Sequence, residues 1–244
     1  SLLVEDGKKL ILIDCGLGDK QNEKFFGHYS LWGDDTLDKN LKKYGFVKED
    51  ITDVFLTHLH FDHCGGAIEW NDDRTGYRSA FKNAHFWTNE EHWKWATEPN
   101  PREKASFLKE NILPMQESGQ LQFLPTPKTG NYGFAPDLKM DVIFVDGHTE
   151  KQMLPVIQYQ EKTIVFAADL IPTAGHIPQV YVMGYDTRPM LTMEEKGKFL
   201  KQCVDNDYLL FFEHDAHNEL ASLKMTERGV KLDETFSFNE IFGY

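Results

Sequence analysis

The stretch "DVFLTHLHFDHCGG", Asp53 to Gly66, constrains this chain more than any other. It places His58, His60, Asp62 and His63 together at the end of an apolar run. In an extended strand, residues two apart point the same way, so His58 and His60 project side by side where the strand ends. Gly65 and Gly66 let the chain turn and begin a helix close by, which brings Asp62 and His63 toward the same point. Three imidazoles and a carboxylate converging there suit zinc or another borderline divalent ion. A lone histidine would read as an incidental surface residue. Four such groups on one short segment, after a buried strand and before Gly-Gly, read as a metal site.

The rest of the composition narrows the class. At 244 residues the chain can build a sizeable core without disulfides or a structural metal. A net charge of −13 repels phosphate backbones and excludes a general nucleic-acid binder. Cys15, Cys64 and Cys203 are too few, and odd in number, for a disulfide framework. No apolar run approaches the ~18 residues of a membrane helix, and no leader is visible, so the chain reads as cytoplasmic with no membrane partner. It opens on "SLLVEDGKKLILIDCG", without an initiator Met and already strand-like. The expectation is that upstream strands are missing from the edge of the first sheet, and an export signal ahead of them stays open.

Along the chain, 1–4 and 9–14 read as strands around an Asp6-Gly7 turn. Residues 15–35 read as a polar and aromatic loop, 36–44 as a helix ended by Gly45, and 52–57 as a strand apolar on both faces. The middle reads as helical. Asn89 caps "EEHWKWAT", and Asn100-Pro101 starts a helix through "REKASFLKENILP". Strands return at 121–124, 140–145, 153–159 and 163–168, the last two as a hairpin around "QEK". Thr192 with Glu195 reads as a capping box for a helix reaching about Cys203, followed by a buried strand at 208–212 and a strand-and-turn tail after Leu220. Strands and helices intermingle throughout, which makes this an α/β chain, read as one domain over 1–244.

HxHxDH resembles the signature of the metallo-β-lactamase superfamily, and later motifs match in order. "VDGHTEKQ" carries His148, "TIVFAADL" carries Asp169, "LLFFEHDAH" carries His214, and "LIDCG" carries Asp14. The resemblance implies an αββα sandwich and a two-metal centre. His58, His60 and His148 would hold one ion; Asp62, His63 and His214 would hold the other; Asp169 would bridge. Asp14 would be the structural acid near the site. The ions would be zinc, with manganese or iron also suited to these ligands. A hydroxide bridging the two metals would be the nucleophile, with Asp62 moving a proton.

The ligand set prunes the superfamily. True zinc β-lactamases lack the bridging aspartate, flavodiiron oxidoreductases have glutamate where His60 stands, and nucleases of the RNase Z type bind an anionic polymer. "RSAFKNAHFWTNEEHW", "ENILPMQESGQLQFL" and "ADLIP" look most like the N-acyl homoserine lactonases and the methyl-parathion-hydrolase-like group. Two positions depart from the pattern. Lactonases carry a tyrosine three residues after the bridging aspartate, where this chain has Pro172, and the second histidine of GHTxGH is Gln152 here. The implied activity is hydrolysis of a small, largely apolar ester, lactone or phosphotriester, and the implied assembly is a homodimer. The alternatives are a metal-dependent oxidoreductase or thioesterase of persulfide dioxygenase or glyoxalase II type, or a non-catalytic binding member.

Other residues read in two ways. His176 is either a substrate-facing proton or oxyanion donor, and so catalytic beside Asp62, or a plain loop histidine. Phe25, Phe26, Tyr29 and Trp32 are either core aromatics or the lining of an apolar substrate pocket, and their place in the loop after Asp14 favours the pocket. Cys64 reads as a structural thiol. His28, His85 and His92 read as surface residues, and His217 as surface or support for the site.

Overall fold

The segment "LILI" has no polar face, so it belongs inside a sheet covered on both sides. The computed structural model bears this out. It describes the chain except Asp6, 127–131, 136–138 and Tyr244, with 132–135 described by backbone alone. The chain divides into two compact units, Ser1–Leu124 and Pro125–Tyr244.

In the first unit, β1 (Leu2–Glu5) and β2 (Leu10–Ile13) form the expected antiparallel pair; the Asp6 half of the turn lies outside the described residues. Helix α1 (Glu23–Gly27) interrupts the expected loop, capped by the Asn22 side chain on Phe25 N. Helix α2 (Leu37–Lys43) falls within the expected 36–44 and starts on a Thr36 cap. Strand β3 (Asp53–Phe55) is buried along its whole length. The single turn α3 (Phe61–Cys64) follows it. A hairpin, β4 (Ile68–Trp70) with β5 (Tyr77–Ser79), closes on an Asn71 side chain that accepts from Thr75 N and Gly76 N. Next come β6 (His85–Asn89), α4 (Glu90–Thr97), α5 (Lys109–Glu117) and β7 (Leu121–Leu124). The sheet order is β1-β2-β3-β6-β7, parallel from β2 to β7. Leu12, Val54, Leu56, Phe81, Phe86, Ile112 and Met115 are among the residues that fill the core.

Two expectations in this unit fail. Residues 85–89 are a strand between β3 and β7, not part of a helical middle; Phe86, Thr88 and Asn89 are buried in it. The helix expected from Pro101 begins only at Lys109. The Asn100 side chain does accept from Arg102 N and Glu103 N, as a cap would. The turn does not propagate, because the Glu103 carboxylate is drawn inward to His60, Trp95 and Asn100.

The second unit holds β8 (Tyr132–Ala135), β9 (Met140–Val145), β10 (Gln152–Tyr159), β11 (Lys162–Phe166), α6 (Pro189–Asp205), β12 (Leu209–Phe211), β13 (Leu220–Thr226), β14 (Gly229–Phe236) and α7 (Phe238–Phe242). Among the described residues its sheet has seven strands, order β14-β13-β12-β11-β10-β9-β8, antiparallel except for β11 with β12. The hairpin around "QEK" forms as expected. The capping box at Thr192 does not. Helix α6 starts a turn earlier, with Pro189 in its first turn, and Thr192 lies inside it. The Glu195 carboxylate instead accepts from Asp146 N and Gly147 N. A tertiary partner has taken the side chain that the local pattern assigned to the cap.

The loops that carry functional residues approach other backbone closely. A Cβ on Gly66 would stand 2.1 Å from Cys15 O, so no side chain fits there. Gly66→Ala should cost about 1–3 kcal/mol through overpacking, read as a lower urea midpoint. The thiols are equally enclosed. Cys15, Cys64 and Cys203 are all buried, and burial pushes the Cys64 thiol up to about 12. A raised pKa keeps it as the unreactive thiol at neutral pH. Iodoacetamide should therefore label no cysteine in the native protein and all 3 cysteines after unfolding.

Candidate metal centre

Asp14 follows β2 in a left-handed conformation, φ 52°, and its carboxylate is fully buried. Oδ1 accepts from Thr57 N at 2.8 Å, and Oδ2 accepts from Thr57 Oγ1 at 2.6 Å and pairs with His63 Nδ1 at 2.9 Å. The Thr57 hydroxyl hydrogen is committed to Asp14, so its oxygen accepts from His58 Nδ1, 3.1 Å away. His58 and His63 therefore each keep Nε2 as the lone-pair atom.

His60 is set the other way round. Its Nε2 faces Glu103 Oε1 at 3.3 Å, leaving Nδ1 as the ring nitrogen turned away from that carboxylate. Glu103 is buried and held by Trp95 Nε1, 2.7 Å, and the Asn100 amide. The ring centroids of His58 and His60 are 4.6 Å apart, and those of His58 and His63 are 3.9 Å apart.

The backbone of the motif is pinned at alternate residues. Thr57 N donates to Asp14, Leu59 N to His92 Nε2 at 2.8 Å, and Phe61 N to Ser106 O at 2.9 Å. These groups stand in for a neighbouring strand, and the alternation aims His58 and His60 together. His92 is consequently no surface residue: it is buried, presented by α4 on its Asn89 cap. His28 and His85 are exposed as expected. Beneath α3, Lys20 Nζ donates to Gly65 O and Ile68 O. Cys64 is enclosed with its Sγ on Leu59 O at 3.3 Å, in keeping with a structural thiol. Asp62, on the same turn, has its side chain 31% exposed.

The aromatic loop comes to this motif. Phe25 and Tyr29 pack on Phe61, the residue between His60 and Asp62, with centroids 5.3 and 5.0 Å away. Phe26 stacks edge-on against Phe25. Trp32 stands 84% exposed.

In the second unit, His148 lies between β9 and β10. Its Nδ1 pairs with Asp186 Oδ1 at 2.9 Å and its Nε2 with Asp169 Oδ2 at 3.2 Å. His214 Nε2 meets the other oxygen, Asp169 Oδ1, at 3.0 Å. Asp169 is buried and follows Ala168 in a left-handed conformation, φ 41°. The His148 loop is fixed by Glu195 and by Arg188 N and Thr187 N, which donate to Gly147 O and His148 O. His214 N donates to Pro172 O. The neighbouring Asp215 carboxyl is raised by burial but held below its usual range overall by hydrogen bonds from Ala174, His217 and Asn218. His176 sits in a short turn, Nδ1 beside Thr173 Oγ1 at 2.8 Å. Burial, then Lys196, keeps it below the usual histidine range. His217 is exposed.

This donor chemistry fits a divalent ion. His58, His63 and His148 each have Nδ1 engaged by an oxygen, and His60 has Nε2 engaged, which is how metal-binding imidazoles are oriented. Sequence reasoning missed Thr57, His92, Glu103, Asp186 and Glu195. Glu103 had a signal in its capping-box spacing from Asn100, and His92 in its place three residues after the Asn89 cap. Asp186 had none.

The metallo-β-lactamase superfamily model matches residues 1–214, and the chain belongs to that superfamily. An N-acyl homoserine lactonase, AiiA of Bacillus thuringiensis subsp. kurstaki, is 24% identical over 230 residues, covering 89% of this chain and 81% of the relative. Among solved structures, a probable metal-dependent hydrolase from Staphylococcus aureus has a TM-score of 0.81 at 23% identity, covering 96% of this chain and 82% of that one. AidC, a dizinc quorum-quenching lactonase, has a TM-score of 0.72 at 25% identity, covering 96% and 79%. These likenesses agree with the α/β metallo-β-lactamase fold expected from the motifs.

Glu103→Ala should free the His60 ring and weaken zinc binding about 10–100-fold, the usual effect of losing a partner that orients a ligand. Competition with a chromophoric chelator measures it. A circular dichroism spectrum matching wild type separates this from misfolding.

Proposed function

We propose that this superfamily hydrolase is a dinuclear, metal-dependent enzyme acting on a small, largely apolar ester, lactone or phosphotriester, with residues 1–244 working as one domain. The observation that carries the reading is Asp169. Its two oxygens face two different imidazoles, Oδ2 toward His148 and Oδ1 toward His214, as a carboxylate shared between two ions requires. In this reading His58, His60 and His148 would hold one ion, Asp62, His63 and His214 would hold the other, and Asp169 would serve both. Zinc suits the imidazole-rich set, and manganese or iron would also be accepted. When bound, such ions would supply an acidified water and a Lewis acid for the attacked oxygen.

The chain's own groups do the rest. Asp62, partly exposed on α3, accepts a proton and passes it to the leaving group. His176, held below the usual histidine range by its burial, serves as a hydrogen-bond donor. The loop after Asp169 has no hydroxyl at Pro172, so a carbonyl substrate must find its donor elsewhere, and His176 is the candidate. Phe25, Phe26, Tyr29 and Trp32, grouped beside Phe61, offer an apolar wall for an acyl or aryl group. The lactonases among the relatives support the same substrate class.

The metal-replete protein should contain about two ions per chain by elemental analysis. It should turn over at least one of a lactone, an aryl ester, a thioester and a phosphotriester without consuming oxygen, and His60→Ala should abolish that turnover. Activity that survives complete removal of metal would overturn the proposal.

A further inference from the structure

Lys196 is fully buried on α6, and neither the sequence motifs nor the proposed chemistry gives it a task. A lysine has three N–H donors and no acceptor. All three are used here on backbone carbonyls of a single loop: His176 O at 2.6 Å, Pro178 O at 3.0 Å and Tyr181 O at 2.6 Å. Burial pushes its ammonium down to about 8 against the pull of Asp186, which still leaves it protonated at neutral pH.

That loop leads directly to the group that orients His148. Asp186 receives Met183 N on Oδ2, donates its own N–H to Met183 O, and presents Oδ1 to His148 Nδ1 at 2.9 Å. The preceding residue of α6, Glu195, holds the other side of the same arrangement by accepting from Asp146 N and Gly147 N. Two consecutive helix residues therefore fix two loops: Glu195 the one that carries His148, Lys196 the one that carries its carboxylate partner. Close packing continues between them, since a Cβ on Gly147 would stand 2.4 Å from Thr192 N.

We propose that Lys196 is a positioning residue: an internal ammonium around which residues 176–186 fold, so that Asp186 stays on Nδ1 of His148 and holds the ring in place. Its value to a metal centre rests on the reading of His148 as a ligand. Its action on the loop and on the ring does not, and the experiment reads those directly on metal-free protein.

Lys196→Met keeps the aliphatic stem and removes the donors. Hydrogen exchange at Ile177, Tyr181 and Asp186, whose amides are bonded within the loop, should accelerate at least about tenfold, as expected when buried carbonyls lose their donor. The His148 Nδ1–H signal, held by Asp186 Oδ1, should lose its protection in step. In Lys196→Ala, n-propylammonium should restore slow exchange at the loop amides and at His148 Nδ1–H, whereas tetramethylammonium, which has no N–H, should not. A Met variant with wild-type exchange at both would reduce Lys196 to packing and overturn the proposal. So would a failure of n-propylammonium to rescue, or accelerated loop exchange with the His148 Nδ1–H signal unchanged. Should both variants fail to fold, the wild-type protein still decides. A slowly exchanging 15Nζ ammonium signal supports the anchor, and a fast-exchanging one refutes it. Protein that binds no metal would sink the hydrolase reading without touching these outcomes.

Discussion

The buried carboxylate of Asp14 is the contact on which the first half of the site depends. It takes the Thr57 amide, the Thr57 hydroxyl and His63 Nδ1, and through Thr57 it sets His58 as well. A fully buried charge is costly unless its lone pairs are filled, and here one carboxylate accepts from three groups of the motif at once. The same bonds that make the charge tolerable give two imidazoles their tautomers. Structure and chemistry are satisfied by one set of contacts.

Each unit applies the same device with different residues. In the first, Asp14 and Glu103 orient histidines while Lys20 donates to carbonyls beneath α3. In the second, Asp186 orients His148 while Lys196 donates to the loop behind it. Carboxylates face ring nitrogens and buried ammonium groups face backbone carbonyls, so each loop is held by charge-assisted hydrogen bonds.

Much of this was legible in advance where the signal is local. The apolar runs became β2, β3 and β12, Asn89 capped the helix expected of it, and HxHxDH formed its turn, although β3 stops at Phe55, short of His58. The failures share one cause. Asn100 with Glu103, and Thr192 with Glu195, have good helix-start spacing, but each glutamate is claimed by a partner distant in sequence. His92 looked like a surface residue because nothing local shows that Leu59 N needs an acceptor. Strand β6 was missed because "HFWTN" is short and runs directly into the helix that Asn89 caps.

By itself, the sequence determined which candidate metal-ligating residue types are present, that four of them fall within six residues, and the superfamily to which the chain belongs. The tertiary structure decided which nitrogen of each ring is the lone-pair atom. For His58 the partner is the adjacent Thr57, but for the other rings the partner comes from far along the chain: 43 residues separate His60 from Glu103, 49 separate His63 from Asp14, and 38 separate His148 from Asp186. Periodicity and spacing report only what neighbours along the chain can do, whereas the direction of a hydrogen bond across a folded interior is set by whatever the fold brings opposite.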